Sequence, residues 1–169
     1  MPFFVVFPPR LWYNHPEKLD QGMCRLIKKA KKADSAALAG LALHLWQDST
    51  PGSLRDEFER LAEDGDSACF IQYVGETPVG FAQCQLRRDY VEGTGTSPVG
   101  YLEGIFVLEG YRRRGYAKAL LQCCEQWSRE KHCSEFASDC ELENEVSRRF
   151  HIAAGFEEAN RIICFQKKL

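Results

Sequence analysis

Apolar residues recur every three or four positions in two segments of the first half of the chain, a spacing that puts them on one face of a helix. The first segment covers 36–46 and follows Asp34 and Ser35, two residues that favour the N-terminus of a helix. The second follows a break at 49–52, with Ser53 as its expected N-cap, and extends to Leu61. The pattern therefore predicts two consecutive helices.

Shorter apolar or alternating runs predict strands, and most of them lie in the middle of the chain. Residues 68–74 and 79–87 flank the turn sequence 75–78, whose glycine and proline are typical of a hairpin. A loop over 89–99 leads to a third run at 101–108. Weaker alternation predicts three further strands, at 24–32, 134–138 and 161–167.

Two more helices are predicted in the second half of the chain. Residues 116–131 carry an apolar stripe at helical spacing, made of Ala117, Leu120, Leu121, Cys124 and Trp127. Residues 143–153 form the other helix, which Gly155 is well placed to end. The resulting order, β-α-α-β-β-β-α-β-α-β, defines a mixed α/β fold without an internal repeat.

The length and composition indicate one globular domain. A chain of 169 residues is long enough for one sizeable core, and its 44% hydrophobic and 27% charged residues are ordinary for a soluble protein. The net charge of −2 disfavours nucleic acid as a partner. No apolar run approaches the roughly 20 residues that a membrane-spanning helix needs, so we expect no membrane partner.

Eight cysteines raise the question of a disulfide framework or a metal site. Their spacing includes no Cys-x-x-Cys pair and no Cys/His cluster of the kind that binds zinc, and the four histidines are scattered. Most of the cysteines lie within apolar strand or helix patterns, where a free thiol packs as a small hydrophobic group. We therefore expect free thiols, no metal, and a reducing, cytoplasmic location.

The first 22 residues differ from the rest of the chain. Residues 2–9 are rich in phenylalanine and proline, but this run is too short and too interrupted for a signal peptide or a membrane helix. Met23 is a plausible alternative start. We interpret 1–22 as an N-terminal extension outside the fold and 23–169 as the functional domain.

A basic turn, Arg112–Ala117, joins the run at 101–108 to the helix predicted over 116–131. The first N–H groups of a helix have no partner within it, and the helix dipole adds partial positive charge there. Gly115 lets an anion approach the backbone closely, and the small Ala117 keeps the next turn open. The turn favours a pyrophosphate-bearing ligand, although six residues alone fit a basic turn at the start of a surface helix equally well.

Two other phosphate-binding motifs are absent from the sequence. It contains no Gly-x-x-x-x-Gly-Lys-Ser/Thr, which excludes a P-loop, and no Gly-x-Gly-x-x-Gly after a strand, so a dinucleotide-binding fold has no support. What remains is a basic turn closed by one glycine and one small residue.

This turn resembles the acyl-CoA pyrophosphate loop of the GNAT superfamily of N-acetyltransferases, whose pattern is Gln/Arg-x-x-Gly-x-Gly/Ala. The predicted order of strands and helices is also that of the superfamily, and 150–156 resembles its late segment ending in Gly-Phe. Further segments resemble the aminoglycoside 6'-N-acetyltransferase branch, over essentially 23–169. They are 45–46, 88–93, 97–99, 102–107, 137–139 and 155–158.

The resemblance implies a mixed, mostly antiparallel central sheet that splays open at the cofactor strand, with helices on both faces. It implies acetyl-CoA as co-substrate, held by the backbone of the splayed strand and by the basic turn, with Asn144 contacting the pantetheine arm. The other residues that match these parts are Ile105, Phe106, Val107, Arg113, Arg114, Gly115, Tyr116, Ala117 and Lys118.

The acceptor site implied by the resemblance consists of Trp46, Tyr90, Glu103 and Asp139. Aminoglycosides are polycations, so carboxylates suit their pocket, and the two aromatic rings would stack on sugar rings. Glu103 is also unusual in itself, because a carboxylate within an apolar strand costs several kcal/mol if it is buried without a partner. A structural acid held in a salt bridge explains Glu103 as an alternative, and Trp46 suits ordinary core packing equally well.

The resemblance implies direct attack of the 6'-amine on acetyl-CoA within a ternary complex. Glu103, supported by Asp139, is the expected base that removes a proton from the 6'-ammonium. His151 occupies a position where the family often has a tyrosine that protonates the departing thiolate, and imidazole titrates near neutral pH. A histidine that only packs or binds water fits there at least as well. Cys140 has no adjacent activating residue in the sequence, so we expect no covalent intermediate.

Two alternatives stay open at the level of function. Acidic residues would also suit an acetyltransferase for another amine, such as a polyamine, a metabolite or a peptide N-terminus. A non-catalytic acyl-CoA sensor is the other alternative, against which Glu103 and Asp139 argue.

Where relatives can place a further acid, this chain has Ala159-Asn160, which would change the range of accepted drugs. Relatives commonly pair, and we expect a homodimer in which 161–167 takes part.

Overall fold

The computed structural model describes residues 27–168. The extension predicted over 1–22 and the first residues of the strand predicted over 24–32 lie outside this range. Within it, no helix is long and apolar enough to cross a membrane.

A five-stranded sheet forms the centre of the molecule, with the strands side by side in chain order. They are β1 (Ile27–Lys29), β2 (Ser67–Val74), β3 (Thr77–Arg87), β4 (Val99–Val107) and β5 (Phe136–Ser138). The pairs β1–β2, β2–β3 and β3–β4 are antiparallel, and β5 is parallel to β4. The tight turn between β2 and β3 confirms the predicted hairpin.

Within the described residues four α-helices cover the sheet: α1 (Ser35–Ala42), α2 (Pro51–Glu63), α3 (Tyr116–Glu130) and α4 (Glu145–Ala153). The N-cap predicted for the second helix is wrong by three residues. Thr50 is the N-cap, its hydroxyl oxygen accepts from the N–H of Ser53 at 3.1 Å, and the Ser53 hydroxyl accepts from the N–H of Thr50 at 3.1 Å. Pro51 occupies the first helical position, where its missing N–H costs nothing.

Alternation along the strands divides most of the buried apolar side chains between two cores, one on each face of the sheet, beside a third, smaller cluster of Val91, Val99 and Tyr101. One core packs against α3 and includes every residue of its predicted stripe, Ala117, Leu120, Leu121, Cys124 and Trp127. The other packs against α1 and α2, with Phe58 and Phe81 almost completely buried. A sheet with helices on both faces is the predicted mixed α/β architecture.

The strand predicted over 161–167 is wrong for this chain taken alone. These residues form no strand, and Ile163 and Phe165 are 80% and 91% exposed. An alternating run becomes a strand only where another edge supplies hydrogen bonds, and none of the described strands lies beside it. The helix stop at Gly155 is confirmed, since its φ of +98° is a backbone conformation that suits glycine.

Candidate active site

The sheet opens beside the second half of β4. β3 pairs with β4 along its whole length, whereas β5 pairs only with 100–102. Beyond that point no strand lies against the other edge of β4 within the described residues, so the backbone edge of Ile105–Val107 has no partner strand on that side. Backbone N–H and C=O groups on an open edge bind an extended ligand readily, in the manner of an added strand. The predicted splayed sheet is therefore present.

A β-bulge places Glu103 within β4. The pairing of β3 with β4 shifts there by one residue, and Glu103 is the residue without a partner opposite. Leu102 and Ile105 both pack against α3, although they are three residues apart, so Glu103 and Gly104 both lie on the other face. A Cβ on Gly104 would come within 3.0 Å of the Trp46 ring, which locates this face beside the end of the α1 segment.

The basic turn leads directly into α3, and Gly115 is the N-cap of that helix with a φ of +83°. No side chain caps the helix, so its first N–H groups face outward from the turn. Arg113 and Arg114 are exposed around this helix start, and Arg113 has a φ of +62°. A helix start without a cap and with two arginines beside it favours an anion.

Arg112 has a different position from its two neighbours. Its Nε donates to the carbonyl of Val107 at 2.8 Å, and its guanidinium lies 5.6 Å from the centre of the Phe106 ring. Arg112 therefore ties the turn to the end of β4, fixing the open strand edge relative to the start of α3. Sequence reasoning counted it only as part of a basic run.

Glu103 is 9% exposed, and its carboxylate is hydrogen-bonded to two side chains of β3. Its Oε1 accepts from Gln85 Nε2 at 2.5 Å and from Arg87 Nε and Nη2 at 3.1 and 2.9 Å, while Oε2 accepts from Arg87 Nη2 at 3.1 Å. The salt-bridged state that the sequence left open for this residue is the one observed. A paired carboxylate can still bind a ligand, because Oε2 has only one donor.

Tyr101 connects Glu103 to Asp139. The Arg87 guanidinium stacks on the Tyr101 ring, 3.3 Å from its centre, and the Tyr101 hydroxyl donates to Asp139 Oδ2 at 2.7 Å. Asp139 directly follows β5 and is exposed. The structure therefore brings the two predicted carboxylates to the same end of the sheet, joined through an arginine and a tyrosine.

Burial and charge act against each other on this network. Burial raises the pKa of Glu103, and the Arg87 guanidinium opposes that rise without cancelling it. The pKa of Tyr101 is raised by burial and by the neighbouring Asp139 carboxylate, so the phenol stays protonated as the donor. Glu103 is thus a stronger base than an ordinary glutamate.

The two predicted aromatic residues lie in different surroundings. Trp46 is half-buried, edge-on to Phe81 with 5.9 Å between ring centres, and it covers Gly104. Tyr90 is 82% exposed, and its hydroxyl donates to Glu92 at 2.6 Å. Trp46 therefore combines core packing with a place beside Glu103, whereas Tyr90 lies on an exposed loop.

His151 connects α4 to the end of β5 through hydrogen bonds. Its Nδ1 donates to the carbonyl of Ser147 at 2.8 Å, and its Nε2 accepts from the Ser138 hydroxyl at 3.0 Å. Burial lowers the pKa of the imidazole, so the neutral form is favoured at pH 7. Asn144 is the N-cap of α4, and its side-chain oxygen accepts from the N–H of Ser147 at 3.0 Å.

Among the cysteines that the structure describes, none forms a disulfide. Cys140 is half-buried next to Asp139, and burial raises the pKa of its thiol, which keeps it in the less nucleophilic protonated form. Among residues 27–168 no group of three or more histidine, cysteine or acidic side chains is arranged to hold a metal ion.

Three residues of the site were missed by sequence reasoning: Gln85, Arg87 and Tyr101. A signal for the first two exists in the sequence, because polar residues at 83, 85 and 87 alternate with apolar ones towards the end of a strand. That alternation indicates a polar strip on one face of the sheet. The contact with Glu103 itself depends on strand register and on the bulge.

The chain belongs to the acetyltransferase (GNAT) family, whose family model matches residues 36–156. That match spans both helices before the hairpin, the splayed strand, the basic turn and the late Gly-Phe segment. The resemblance carried by the basic turn and the order of elements is therefore confirmed.

Curated relatives are named more narrowly. The aminoglycoside N(6')-acetyltransferase type 1 of Stenotrophomonas maltophilia is 41% identical over 148 residues, covering 85% of this chain and 93% of that protein. The protein of the same name from Salmonella enteritidis is 37% identical over 142 residues, covering 84% of this chain and 98% of the relative.

Solved structures give the same result in three dimensions. The structure of AAC(6')-Iy in complex with the bisubstrate analog CoA-S-monomethyl-acetylneamine superposes with a TM-score of 0.81 at 37% identity, covering 85% of this chain and 97% of that one. The 6'-N-acetyltransferase AAC(6')-Ih from Acinetobacter baumannii has a TM-score of 0.80 at 35% identity, with 85% and 97% covered.

Proposed function

We propose that this protein transfers the acetyl group of acetyl-CoA to the 6'-amine of aminoglycosides, and so confers resistance to them. The observation that carries the proposal is the placement of two half-sites on one strand. The open edge of β4 and the uncapped start of α3 suit an acyl-CoA, and the bulge in the same strand presents Glu103 next to that edge.

The acyl-CoA half-site is built mainly from backbone. The pantetheine arm would pair with the edge of Ile105–Val107, where a main-chain N–H can polarise the thioester carbonyl. The pyrophosphate would lie against the N–H groups at the start of α3, where Gly115 keeps the approach open. Asn144, at the start of the next helix, faces this ligand in our proposal. The exposed side chains around the pyrophosphate are Arg113, Arg114 and Lys118, and Tyr116 is partly buried beside them.

The acceptor half-site is acidic and partly aromatic. Asp139 supplies an exposed negative charge, and Glu103 supplies an oxygen with spare accepting capacity, so an ammonium group is favoured between them. Trp46 forms one wall next to Gly104. Tyr90 would contact a sugar ring from the loop over 88–98. Several ammonium groups and several rings in one ligand are the features of an aminoglycoside.

The reaction in our proposal is a direct attack within a ternary complex. The 6'-ammonium gives a proton to Glu103, directly or through water, and the neutral amine attacks the thioester carbonyl. The C–S bond then breaks, CoA leaves as the thiolate, and the nitrogen loses its second proton to the thiolate or to solvent. The raised pKa of Glu103 makes it a better proton acceptor than an ordinary glutamate. Asp139 stabilises the positive charge on the attacking nitrogen.

The contacts of His151 disfavour a role as the acid for the departing thiolate. Both ring nitrogens already have partners, and the lowered pKa leaves little imidazolium at pH 7. The contacts favour a ring that positions the end of β5, next to Asp139. The thiolate takes its proton from the attacking nitrogen or from solvent in this proposal.

Steady-state kinetics with purified protein test the proposal. We expect turnover of acetyl-CoA with kanamycin or tobramycin, a product acetylated at N6' by two-dimensional NMR, and intersecting initial-velocity patterns typical of a ternary complex. Spermidine and a peptide with a free N-terminus serve as alternative acceptors.

The two alternatives give different results in the same assay. Faster turnover of spermidine than of every aminoglycoside would identify an enzyme for another amine. Tight binding of acetyl-CoA without turnover of any acceptor would identify an acyl-CoA sensor. Parallel initial-velocity patterns would contradict direct attack.

We also propose that the protein is a cytoplasmic homodimer. The alternating residues 161–167 have no strand beside them in the described chain, and Ile162, Ile163 and Phe165 are exposed. Pairing of this segment with a second copy would satisfy its backbone and bury these side chains. Exposed, unpaired cysteines such as Cys164 fit a reducing compartment.

A further inference from the structure

Arg87 is held on two sides within the acceptor half-site. Its guanidinium makes three hydrogen bonds of 2.9 to 3.1 Å to the Glu103 carboxylate, through Nε and Nη2. Its flat face lies 3.3 Å from the centre of the Tyr101 ring. A guanidinium clamped between a carboxylate and a ring has one orientation, and a lysine in its place would have neither the planar fork nor the stacking.

The contacts of Arg87 and Gln85 also determine which oxygen of the Glu103 carboxylate is available to a ligand. Gln85 and Arg87 together make three hydrogen bonds to Oε1, whereas Oε2 has one. The carboxylate is therefore turned so that its less occupied oxygen is free to accept from a further donor. An amine nitrogen that must give up a proton is such a donor.

The charges around Glu103 come from three elements. Arg87 of β3 is the positive neighbour, Asp139 after β5 is a negative one, and Tyr101 of β4 is neutral because its pKa is raised. Burial and Asp139 both favour a protonated Glu103, and a protonated carboxyl cannot accept the proton of the ammonium. Arg87 is the group in this set that favours the ionised form.

We propose that Arg87 is a positioning residue for acetyl transfer, which keeps Glu103 ionised and turns Oε2 towards the acceptor amine. The inference rests on the proposed function of Glu103 as the base. Nothing in the resemblance assigned a role to Arg87, and the residue acts through Glu103 and not on the reacting atoms.

The pH dependence of kcat/KM tests this role in Arg87→Gln and Arg87→Lys. Loss of the positive charge is expected to move the acid limb of the profile upward by about 1 to 3 pH units. At a pH below the acid limb of the wild type, the activity of Arg87→Gln should therefore be lower by about tenfold for each unit of the shift, and it should recover towards that of the wild type near pH 9. Arg87→Lys keeps the charge but not the fork, so its acid limb should lie between the two.

Arg88→Gln is the matched control. Arg88 is the next residue, and it pairs at 2.8 Å with Asp66 on the surface, so the same charge is removed away from Glu103. We expect the profile of this variant to follow that of the wild type. A loss in Arg87→Gln that is equal at every pH would overturn the inference, because lost packing alone does not shift a titration.

A direct titration separates this inference from the proposed function. The ¹³C resonance of the Glu103 carboxyl, assigned with Glu103→Gln, should report a higher pKa in Arg87→Gln and an intermediate one in Arg87→Lys. An unchanged pKa in both variants would overturn the inference even if the enzyme acetylates aminoglycosides. If Arg87→Gln does not fold, an unchanged pKa in Arg87→Lys is the overturning result. Lack of any acetylation by the wild type would instead refute the proposed function, while the titration would still decide whether Arg87 sets the state of Glu103.

Discussion

Burial acts in opposite directions on the two titratable side chains that flank the acceptor end of the sheet. It raises the pKa of Glu103, where Arg87 partly compensates, and it lowers the pKa of His151, where the carbonyl of Ser147 partly compensates. In both cases burial disfavours the charged form, and a neighbouring group restores part of it. The protonation state of each residue therefore follows from its neighbours and not from its type.

The lowered pKa of His151 predicts a pH-dependent contribution to stability. Its folded pKa lies below the ordinary value of 6.5, so the folded protein binds fewer protons than the unfolded chain. The free energy of unfolding from this group is fully present above about pH 6.5 and is lost as the pH falls through the folded pKa. Urea unfolding of the wild type should show a larger loss of free energy between pH 7 and pH 5 than that of His151→Gln.

His132→Gln provides the comparison for this prediction, because His132 is exposed. The stability of His132→Gln should change with pH as that of the wild type does. Equal pH dependence in His151→Gln and the wild type would contradict the assigned burial effect.

A general acid contributes about 10² to 10⁴ in rate, so a fall in kcat of less than tenfold in His151→Gln would favour the positioning role.

At the scale of single elements, two irregularities of the backbone create the site. The bulge in β4 turns Glu103 and Gly104 to the same face, and the helix start at Gly115 leaves N–H groups free for an anion. Regular strands and a side-chain-capped helix would fit the same hydrophobic pattern and would have neither feature. The periodicity of apolar residues predicted whether each element is a helix or a strand, but it predicted neither of these two irregularities.

Gly115→Ala tests the helix start. A φ of +83° costs a residue with a Cβ about 1 to 2 kcal/mol, and relaxation of that strain would move the first N–H groups of α3. We expect a loss of stability of that size in thermal or urea unfolding, together with a KM for acetyl-CoA that rises severalfold. The KM for the aminoglycoside should change little, because the acceptor half-site lies on the other side of β4.

Gly110→Ala is the control for that variant. Gly110 lies in the same turn region, its φ is not positive, and a Cβ there meets no atom within 4 Å. Its stability should stay within about 0.5 kcal/mol of the wild type, with an unchanged KM for acetyl-CoA. Equal effects of the two substitutions would contradict a specific role for the conformation of Gly115.

At the scale of the whole molecule, the strand predicted over 161–167 has no strand to pair with among the described residues. The two cores and the smaller cluster at Val99 hold most of the buried apolar side chains of the sheet and helices, but Ile163 and Phe165 remain outside all three. Exposed, alternating apolar residues at the end of a chain are a hazard unless another strand covers them. A second copy of the chain is the partner that we propose.

Light scattering on a sizing column tests the dimer. The wild type should have twice the mass of one chain, and the double variant Ile163→Asp/Phe165→Asp should have the mass of one, because charged side chains oppose burial of the segment. Lys168→Gln, just beyond the segment, should remain dimeric. A monomeric wild type would refute the proposal, and so would a double variant that stays folded and dimeric.

The sequence by itself determined the parts of this protein that depend on local rules. Helical and strand periods gave the helices, the hairpin and the faces that they bury, and a glycine after three arginines indicated the anion-binding helix start. The boundaries that it missed are local as well. Pro51 moved one N-cap from Ser53 to Thr50, because proline needs no hydrogen-bond partner at the start of a helix.

Only the tertiary structure decided what surrounds Glu103. Sixteen positions separate Arg87 from Glu103 and 38 separate Tyr101 from Asp139, and these pairs meet because of strand register, the bulge and the parallel pairing of β5. A shift of one residue in strand register would turn the side chains of the strand to the opposite face of the sheet, and no local sequence pattern specifies that register. The same reason explains the failed strand at 161–167, since a strand depends on an edge that its own sequence does not contain.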